Sequence, residues 1–456
     1  MEGARGVLRR PLGWGGVLLA GALGSIMTFS YLGGFLDPIH HLHGLKVGIV
    51  NEDSPVDVAG NHIDGGTQVV DKLQAGDHRE VTFVVYRTRA AAVDAIHDDR
   101  IIGAIDVRPD FSAAIGQVGT SGGLGHRARI DMITNDGAGL FQAQVFARVT
   151  SEVDVEVNKE VNRQLVAVLT DVGVKIEPAG AAIVGRPVTI RTVDEISVLG
   201  KTGRGLGPFY AAVMATLTGF LATSIASLMV DVLRGTEHLE LLGKEVPIEA
   251  FAERPLATWV AKAVLAVSGA CLGALALAIT AVEVLGLPTA FWPTFGLAAL
   301  GASAIALVTL IFLTLFGIGG ELLGVLFTTI FGVPSALGVY PAEALPPFFR
   351  FVSSWHPMHY LTDGMRALTF YDGRADAGLR GAVVVLALWL VGAGVVGYLS
   401  ALLIDRRGGS VGTKLRDRSF RTIIVGRPGR PPHHLLPHHA RPAETPAADG
   451  SAEALP

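Results

Sequence analysis

Apolar and polar positions alternate in long blocks, and six apolar runs are long enough to cross a bilayer. A hydrocarbon core of ~30 Å takes ~20 helical residues at 1.5 Å each. The runs are Leu12 to Leu36, Gly207 to Val230, Leu256 to Val282, Phe291 to Phe316, Leu322 to about Val339, and Ala382 to Ile404. The apolar stretch 291–340 is too long for one span, so we divide it at Gly317-Ile318-Gly319-Gly320-Glu321, a glycine-rich turn. Unpaired backbone groups are costly in lipid, so each run reads as a helix. The first run follows Arg9 and Arg10 like a signal peptide. It exceeds the ~7–15 residues of a signal core and no A-x-A-like site follows, which makes it an uncleaved anchor.

Between runs one and two, residues 37–205 are polar enough to face water, and their pattern is α/β. Leu45 to Asn51, Val81 to Tyr86, Ile101 to Val107 and Ala128 to Thr134 read as strands, the third stopped by Pro109. Helical stretches are expected near 61–75 and 89–98, and one long one over 138–172 with apolar residues every three or four positions. Strands alternating with helices predict a mainly parallel sheet covered by helices. The fold class is thus a multi-pass α-helical membrane protein of six transmembrane helices, with an extracytoplasmic α/β domain inserted between helices 1 and 2. Its expected parts are 1–36 (cytoplasmic N-terminus and first helix), 37–205 (external domain), 206–405 (helices 2–6) and 406–456 (cytoplasmic tail).

Composition agrees. Of 456 residues, 50 % are hydrophobic and only 17 % charged, against ~25 % charged in soluble domains, and the mean hydropathy is +0.46. A net charge of −4 offers no basic field for nucleic acid. The single cysteine, Cys271, excludes an internal disulfide framework and a multi-cysteine metal site. Arg5, Arg9 and Arg10 before the first run, and Arg406, Arg407, Lys414, Arg416, Arg418 and Arg421 after the last, place both ends in the cytoplasm of a plasma membrane. The 231–255 loop then lies inside with Arg234, Lys244 and Arg254. The 341–380 segment, with Arg350, Arg366, Arg374 and Arg380, falls outside and is a local exception to the rule. The excess of arginine over lysine, with abundant alanine, glycine and valine, hints at a GC-rich bacterial genome. The Pro-, His- and Ala-rich end beyond about 426 reads as disordered, its paired histidines (433–434, 438–439) as solvated.

Candidate chemistry is sparse. Leu199-Gly200-Lys201-Thr202 mimics the end of a phosphate-binding loop, but Glu195 stands where its first glycine belongs. No nucleophile elbow, zinc-protease helix or kinase set occurs. No catalytic residue, cofactor site or metal site is expected, and the chain is not expected to be an enzyme. His97-Asp98-Asp99 reads as a solvated turn. Lys262, two turns into the third run, is expected to snorkel to the cytoplasmic face. Glu283 and Glu321 are expected at interfaces. No paired intramembrane carboxylates suggest proton-driven transport. In the 231–254 loop, Leu239, Leu241, Leu242 and Val246 alternate with Glu237, Glu240 and Glu245, predicting a short amphipathic helix on the cytoplasmic face.

Three stretches carry a resemblance. Lys46-Val47-Gly48-Ile49-Val50-Asn51-Glu52-Asp53 and Ile102 to Ser112 are similar to two segments of the phage-infection-protein (YhgE/Pip-like) branch of ABC-2 type permeases. Pro357-Met358-His359-Tyr360-Leu361-Thr362-Asp363-Gly364-Met365-Arg366 is similar to the P-x-x-Y-x-x-D-G-x-R element of ABC-2 permeases. With the order of spans, the resemblance covers residues 10 to about 405. It implies an export permease that pairs with a separate ABC ATPase and dimerises with itself or a second permease half. It also implies an ATPase-coupling segment at Glu237, Glu240, Leu241, Leu242 and Glu245. Pro357, Tyr360, Asp363, Gly364 and Arg366 are read as a re-entrant turn whose Asp and Arg satisfy backbone groups or each other. The substrate is expected to be amphiphilic. The competing reading is a non-transporting scaffold or surface receptor whose external domain binds a partner.

Overall fold

The computed structural model describes residues 11–35, 37–58, 60–76, 79–198, 200–235, 240–241, 244–245 and 254–407. The expectations for Arg5, Arg9 and Arg10, for Glu237 and Leu242, and for the chain beyond 407 lie outside these residues. Helix α1 (Pro11–Phe35) leads to a five-stranded sheet. Its strands are β1 (Leu45–Asn51), β4 (Val81–Tyr86), β5 (Gly103–Val107), β6 (Ala128–Asn135) and β7 (Val188–Ile196). The spatial order is β4-β1-β5-β6-β7, parallel except for antiparallel β5/β6. The four expected strands are present. The sheet is mixed rather than wholly parallel, because β5 and β6 are neighbours of opposite sense. Strand β7 and the small hairpin of β2 (Val56–Val58) with β3 (Asn61–Ile63) are additions.

Helices α2 (Gly65–Ala75), α3 (Arg89–His97), α4 (Phe111–Thr120) and α5 (Leu140–Val172) clothe the sheet. Along α5, Phe146, Val149, Val153, Val157, Val161 and Leu165 recur at three- and four-residue spacing and bury one continuous stripe on the sheet. Asp53, just past β1, holds two helix starts together: its carboxylate accepts Gly66 N at 2.9 Å and Ser112 N at 2.8 Å. A Cβ at Gly66 would meet Asn51 Oδ1 at 2.4 Å, so only glycine admits this approach. On the other sheet face, Ala92, Ala95 and Ile96 of α3 pack with Phe370 and Tyr371, which come from the membrane part. The domain's second core layer is therefore shared with the membrane region.

Among the described residues, four helices are long and apolar enough to cross a membrane: α6 (Gly207–Leu233), α7 (Pro255–Ala278, continued by a π turn to Val284), α8 (Phe291–Phe316) and α12 (Arg380–Arg406, entered through a π turn from Ala375). They form a multi-pass helical membrane region. Small residues set their separation. A methyl group at Gly219 of α6 would sit 2.1 Å from Ala302 O of α8, and one at Gly273 of α7 would sit 2.3 Å from Thr218 Cγ2 of α6. Thr223 Oγ1 donates across the same α6/α8 contact to Ala306 O at 2.9 Å.

The fifth apolar run departs from the six-span expectation. Its helix, α9 (α-helical over Ile318–Val325, π over Leu326–Phe331), stops after 14 residues, about 21 Å at 1.5 Å per residue. Pro334 cannot donate to a helix, and the chain turns irregularly from Gly332 onward. It nevertheless runs from the bundle end remote from the domain to the domain itself, where Tyr340 meets Phe141 edge-on at 5.0 Å and Ala344 joins the domain core. Next comes a helical hairpin of α10 (Pro347–Ser353) and α11 (Pro357–Phe370). It leaves the domain at Leu345, dips to Phe327 at the bend and returns to the domain at Tyr371. At the remote end, β8 (Glu240–Leu241) and β9 (Lys244–Glu245) pair antiparallel, so the expected amphipathic helix is replaced by a ladder where this loop is described.

Gly219→Ala is expected to destabilise the detergent-solubilised protein by about 1–3 kcal/mol through forced separation of α6 and α8. Gly296→Ala, where a methyl group meets nothing within 4 Å, leaves the thermal midpoint unchanged or raised.

Candidate functional site

The bend of the hairpin faces an apolar pocket of about 660 Å³ between α8, α9 and α12. Phe312, Phe327, Trp355, Tyr360, Leu388 and Trp389 are among the residues that line it. Polar groups at its wall are already engaged within the protein. Trp389 Nε1 donates to Trp355 O at 3.0 Å, Tyr360 Oη donates to Ser354 O at 2.7 Å, and Ser354 Oγ donates to Phe351 O at 2.7 Å. Such a wall offers shape and dispersion contacts rather than hydrogen bonds, and its volume lies in the ~300–1,000 Å³ range of small-molecule pockets.

His356 holds the hairpin at this depth. Its ring is fully buried; Nε2 donates to Phe327 O at 3.0 Å while Nδ1 accepts Met358 N at 3.2 Å, capping α11. Phe327 lies in the π segment of α9. Two more carbonyls of that segment are taken by α1: Tyr31 Oη donates to Thr329 O at 3.2 Å and Ser30 Oγ to Ile330 O. Leu337 O, in the irregular stretch beyond, accepts Arg366 Nη2 at 3.0 Å.

The motif residues of α11 fall into place around this. Pro357 occupies the first turn and Gly364 lies against Leu297 and Ala382, where a Cβ would be 2.7 Å from each. Asp363 Oδ2 pairs with His359 Nε2 at 2.8 Å, and its Oδ1 lies 3.8 Å from Arg366 Nη1. His359 Nδ1 faces Ser353 O at 2.7 Å; a carbonyl only accepts, so Nδ1 carries hydrogen.

At the top of α11 the hairpin is tied to the domain. Tyr371 Oη donates to Asp99 Oδ1 at 2.7 Å and lies 3.0 Å from Asn135 Oδ1. Arg366 Nη1 lies 4.0 Å from Asp99 Oδ2. Burial pushes the Asp99 carboxyl up to about 6; Arg366 and the Tyr371 hydroxyl pull it back down, and Asp363 adds to the rise. Burial and the Asp99 carboxylate together push the Tyr371 phenol well above its ordinary value. Asp99 is thus no solvated turn residue. Its backbone is left-handed (φ 52), as is that of Asp372 beside Tyr371 (φ 50), a conformation that costs ~1–2 kcal/mol outside glycine. Arg374 reinforces the tie by pairing with Asp98 at 3.2 Å.

The remote end holds a second polar contact. Lys262 does not snorkel: it is 4 % exposed and donates to Asp231 Oδ2 of α6 at 2.8 Å. Glu321 accepts Ser224 Oγ at 2.6 Å, and Glu283 is exposed. Among the described residues no cluster of three metal-ligating side chains occurs. Glu240, Leu241 and Glu245 lie in the β8/β9 ladder. Sequence reasoning missed Asp99, Asn135, Tyr371 and His356 as partners, because each acts through a neighbour more than 25 residues away.

Comparison with known families now places the chain. It belongs to the family described as "Protein of unknown function (DUF3533)", whose model matches residues 17–394. Neither a curated protein nor a solved structure matches it.

His356→Ala is expected to lower the unfolding free energy by about 1–3 kcal/mol, since Phe327 O loses its only ring donor in a buried setting. Thermal unfolding in one detergent should show a smaller loss for Tyr360→Phe, whose acceptor, Ser354 O, sits on an exposed residue.

Proposed function

We propose that this chain is the membrane-spanning permease half of an exporter of the ABC-2 type, driven by a separate ATPase and moving an amphiphile out of the cell. The observation that carries the reading is the apolar pocket at the hairpin bend. It sits among membrane helices, its wall presents aromatic faces, and its polar groups are already bonded. A long apolar tail suits such a wall, whereas a sugar or an ion would lose its hydration there without replacement.

The layout is consistent with six crossings. The first is α1, and the fifth is made of α9 plus the irregular stretch that reaches Tyr340. The external domain then lies outside and both termini inside. The arginines that break the positive-inside rule are compensated within the protein. Arg366 and Arg374 face Asp99 and Asp98, Arg350 donates to Ala342 O and Leu345 O, and Arg380 pairs with Asp376. Arg234, Arg254, Arg406 and Arg407 cluster at the remote end, as a cytoplasmic face requires. The β8/β9 ladder there would contact the ATPase in this reading, and the Asp231–Lys262 pair ties α6 to α7 beside it. Closure of the ATPase would move α6 and α7 as rigid bodies.

The test is reconstitution of the chain with its candidate ATPase in proteoliposomes, reading ATP-dependent movement of a fluorescent single-chain amphiphile. Gly392 lines the pocket and has open space around it, so Gly392→Phe is expected to cut transport at least tenfold while leaving the thermal midpoint within a few degrees. Glu240→Arg with Leu241→Asp is expected to abolish amphiphile-stimulated ATP hydrolysis without unfolding the membrane part. Full transport by the Gly392→Phe protein would remove the pocket from the pathway. Partner binding without any ATP-dependent movement would favour the scaffold or receptor reading instead.

A further inference from the structure

The Tyr371 hydroxyl lies between two oxygens, Asp99 Oδ1 at 2.7 Å and Asn135 Oδ1 at 3.0 Å. A phenol has one proton to give. The Asn135 amide cannot turn to supply another, because its Nδ2 already donates to Ile101 O at 3.0 Å and Ile96 O at 3.4 Å and lies 3.4 Å from Asp99 Oδ1, a weak contact that, like Arg366, favours the Asp99 anion. With Asp99 ionised, one of the two oxygen–oxygen contacts lacks a hydrogen. Both are hydrogen bonds only when Asp99 carries a proton: its carboxyl then donates to the phenol oxygen, and the phenol donates to Asn135. We propose that Asp99 is a proton-binding site that latches the external domain onto the membrane hairpin, the latch closing with uptake of one proton.

The surroundings fit a site balanced between its two charge states. Arg366 Nη1 of α11 stands 4.0 Å from Asp99 Oδ2 and favours the anion; Asp363, 3.8 Å beyond that guanidinium, offsets it. When Asp99 is neutral, Arg366 keeps Asp363 and Leu337 O, so no charge is stranded. The neighbouring charges are largely spoken for. Asp98 is held by Arg100 at 2.9 Å and by Arg374 at 3.2 Å, and His97 pairs with Glu195 of β7 at 2.9 Å. Lys46 of β1, Arg100 and Glu343 share with Asp99 a cavity of about 410 Å³, half polar and half apolar in its wall and open to one side, at the domain–membrane junction, which gives the proton a route in.

The sign follows from linkage. Closed, the carboxyl sits at about 6; released into water it returns to ~3.9. The closed form therefore binds the proton more tightly, and acid favours it. Between pH 7 and pH 5 the closed form gains about tenfold over the released one. That gain is lost again as pH rises through about 6.

The experiment uses the full chain in lipid nanodiscs, with pH-difference infrared spectra and thermal unfolding recorded at pH 5 and pH 7. A protonated-carboxyl carbonyl band is expected to appear as pH falls through about 6 and to be missing from Asp99→Asn. That variant keeps a donor for Tyr371 and is expected to lose the wild type's extra stabilisation at pH 5, equivalent to about tenfold in the closed–open ratio. Asp376→Asn, whose carboxylate meets only the exposed Arg380, should match wild type in both measurements. Should Asp99→Asn fail to fold, Tyr371→Phe serves instead: with the phenol gone, the band shifts in frequency and its midpoint moves. An unaltered band and pH profile in both variants would overturn the proposal.

Discussion

A peptide backbone inside lipid must have its carbonyls and amides satisfied by protein, and much of the membrane region is arranged around one violation of regular helix. The fifth apolar run stops being helical after Phe331, within the thickness of the bundle. Freed or misdirected carbonyls there have no water to turn to, and each orphan would cost several kcal/mol. Four carbonyls of this stretch accept from four different side chains: Phe327 O from His356, Thr329 O from Tyr31 (besides the Gly332 and Val333 amides), Ile330 O from Ser30, and Leu337 O from Arg366. Two of those donors sit on the first helix and two on the hairpin. The break therefore recruits both elements and sets the depth to which the hairpin can dip. Among the described side chains of α1, Ser30 alone is buried, and it and Tyr31 dock the helix through these two bonds.

Once the hairpin is held there, its other end has nowhere to go but the domain. Helix α11 spans about 21 Å at 1.5 Å per residue, from the pocket at Trp355 to Tyr371 under the sheet. The helix is short and lies wedged at Gly364 against Leu297 of α8 and Ala382 of α12, which couples its lower end to Asp99. Arg366 occupies the middle of this lever and contacts both ends of the problem, the broken run through Leu337 O and the domain through Asp99. Packing and polar contacts here serve the same connection: Phe370 and Tyr371 complete the domain's core layer with Ile96 and Ile133, while the Tyr371 hydroxyl fixes the register.

How much of this was legible in the sequence depended on the range of the interaction. Strands β1, β4, β5 and β6 are short stretches rich in apolar and β-branched residues bounded by turn residues, a signal carried by adjacent positions. Helices α3 and α5 announce themselves by periodicity over one or two turns. Strand β7 was missed because it pairs on one side only and its burial alternates, so Thr189, Arg191, Asp194 and Glu195 mask the apolar positions. The six long runs were readable by length, but the break in the fifth was not. Pro334 was visible in the sequence, yet the donors that make a break tolerable come from residues 30, 31, 356 and 366. Lys262 shows the same limit: its length suggested an escape to water, and only the crossing of α6 and α7 brings Asp231 within 2.8 Å.

The site follows from that same distinction. The α11 motif was recognisable only through its resemblance to a known permease element; the structure then puts Pro357 at the first turn of a helix and Gly364 where helices touch. Asp99 and Tyr371 are separated by 272 positions and neither has a local pattern. What marks them is conformational: both lie at turns where a non-glycine residue takes a left-handed backbone, Asp99 itself and Asp372 next to Tyr371. Strain of that kind persists only where surrounding contacts over-determine it. Two such turns facing one another across the boundary between a water-facing domain and a lipid-facing bundle make that boundary a built joint, and a mobile tether would have no reason to hold either of them.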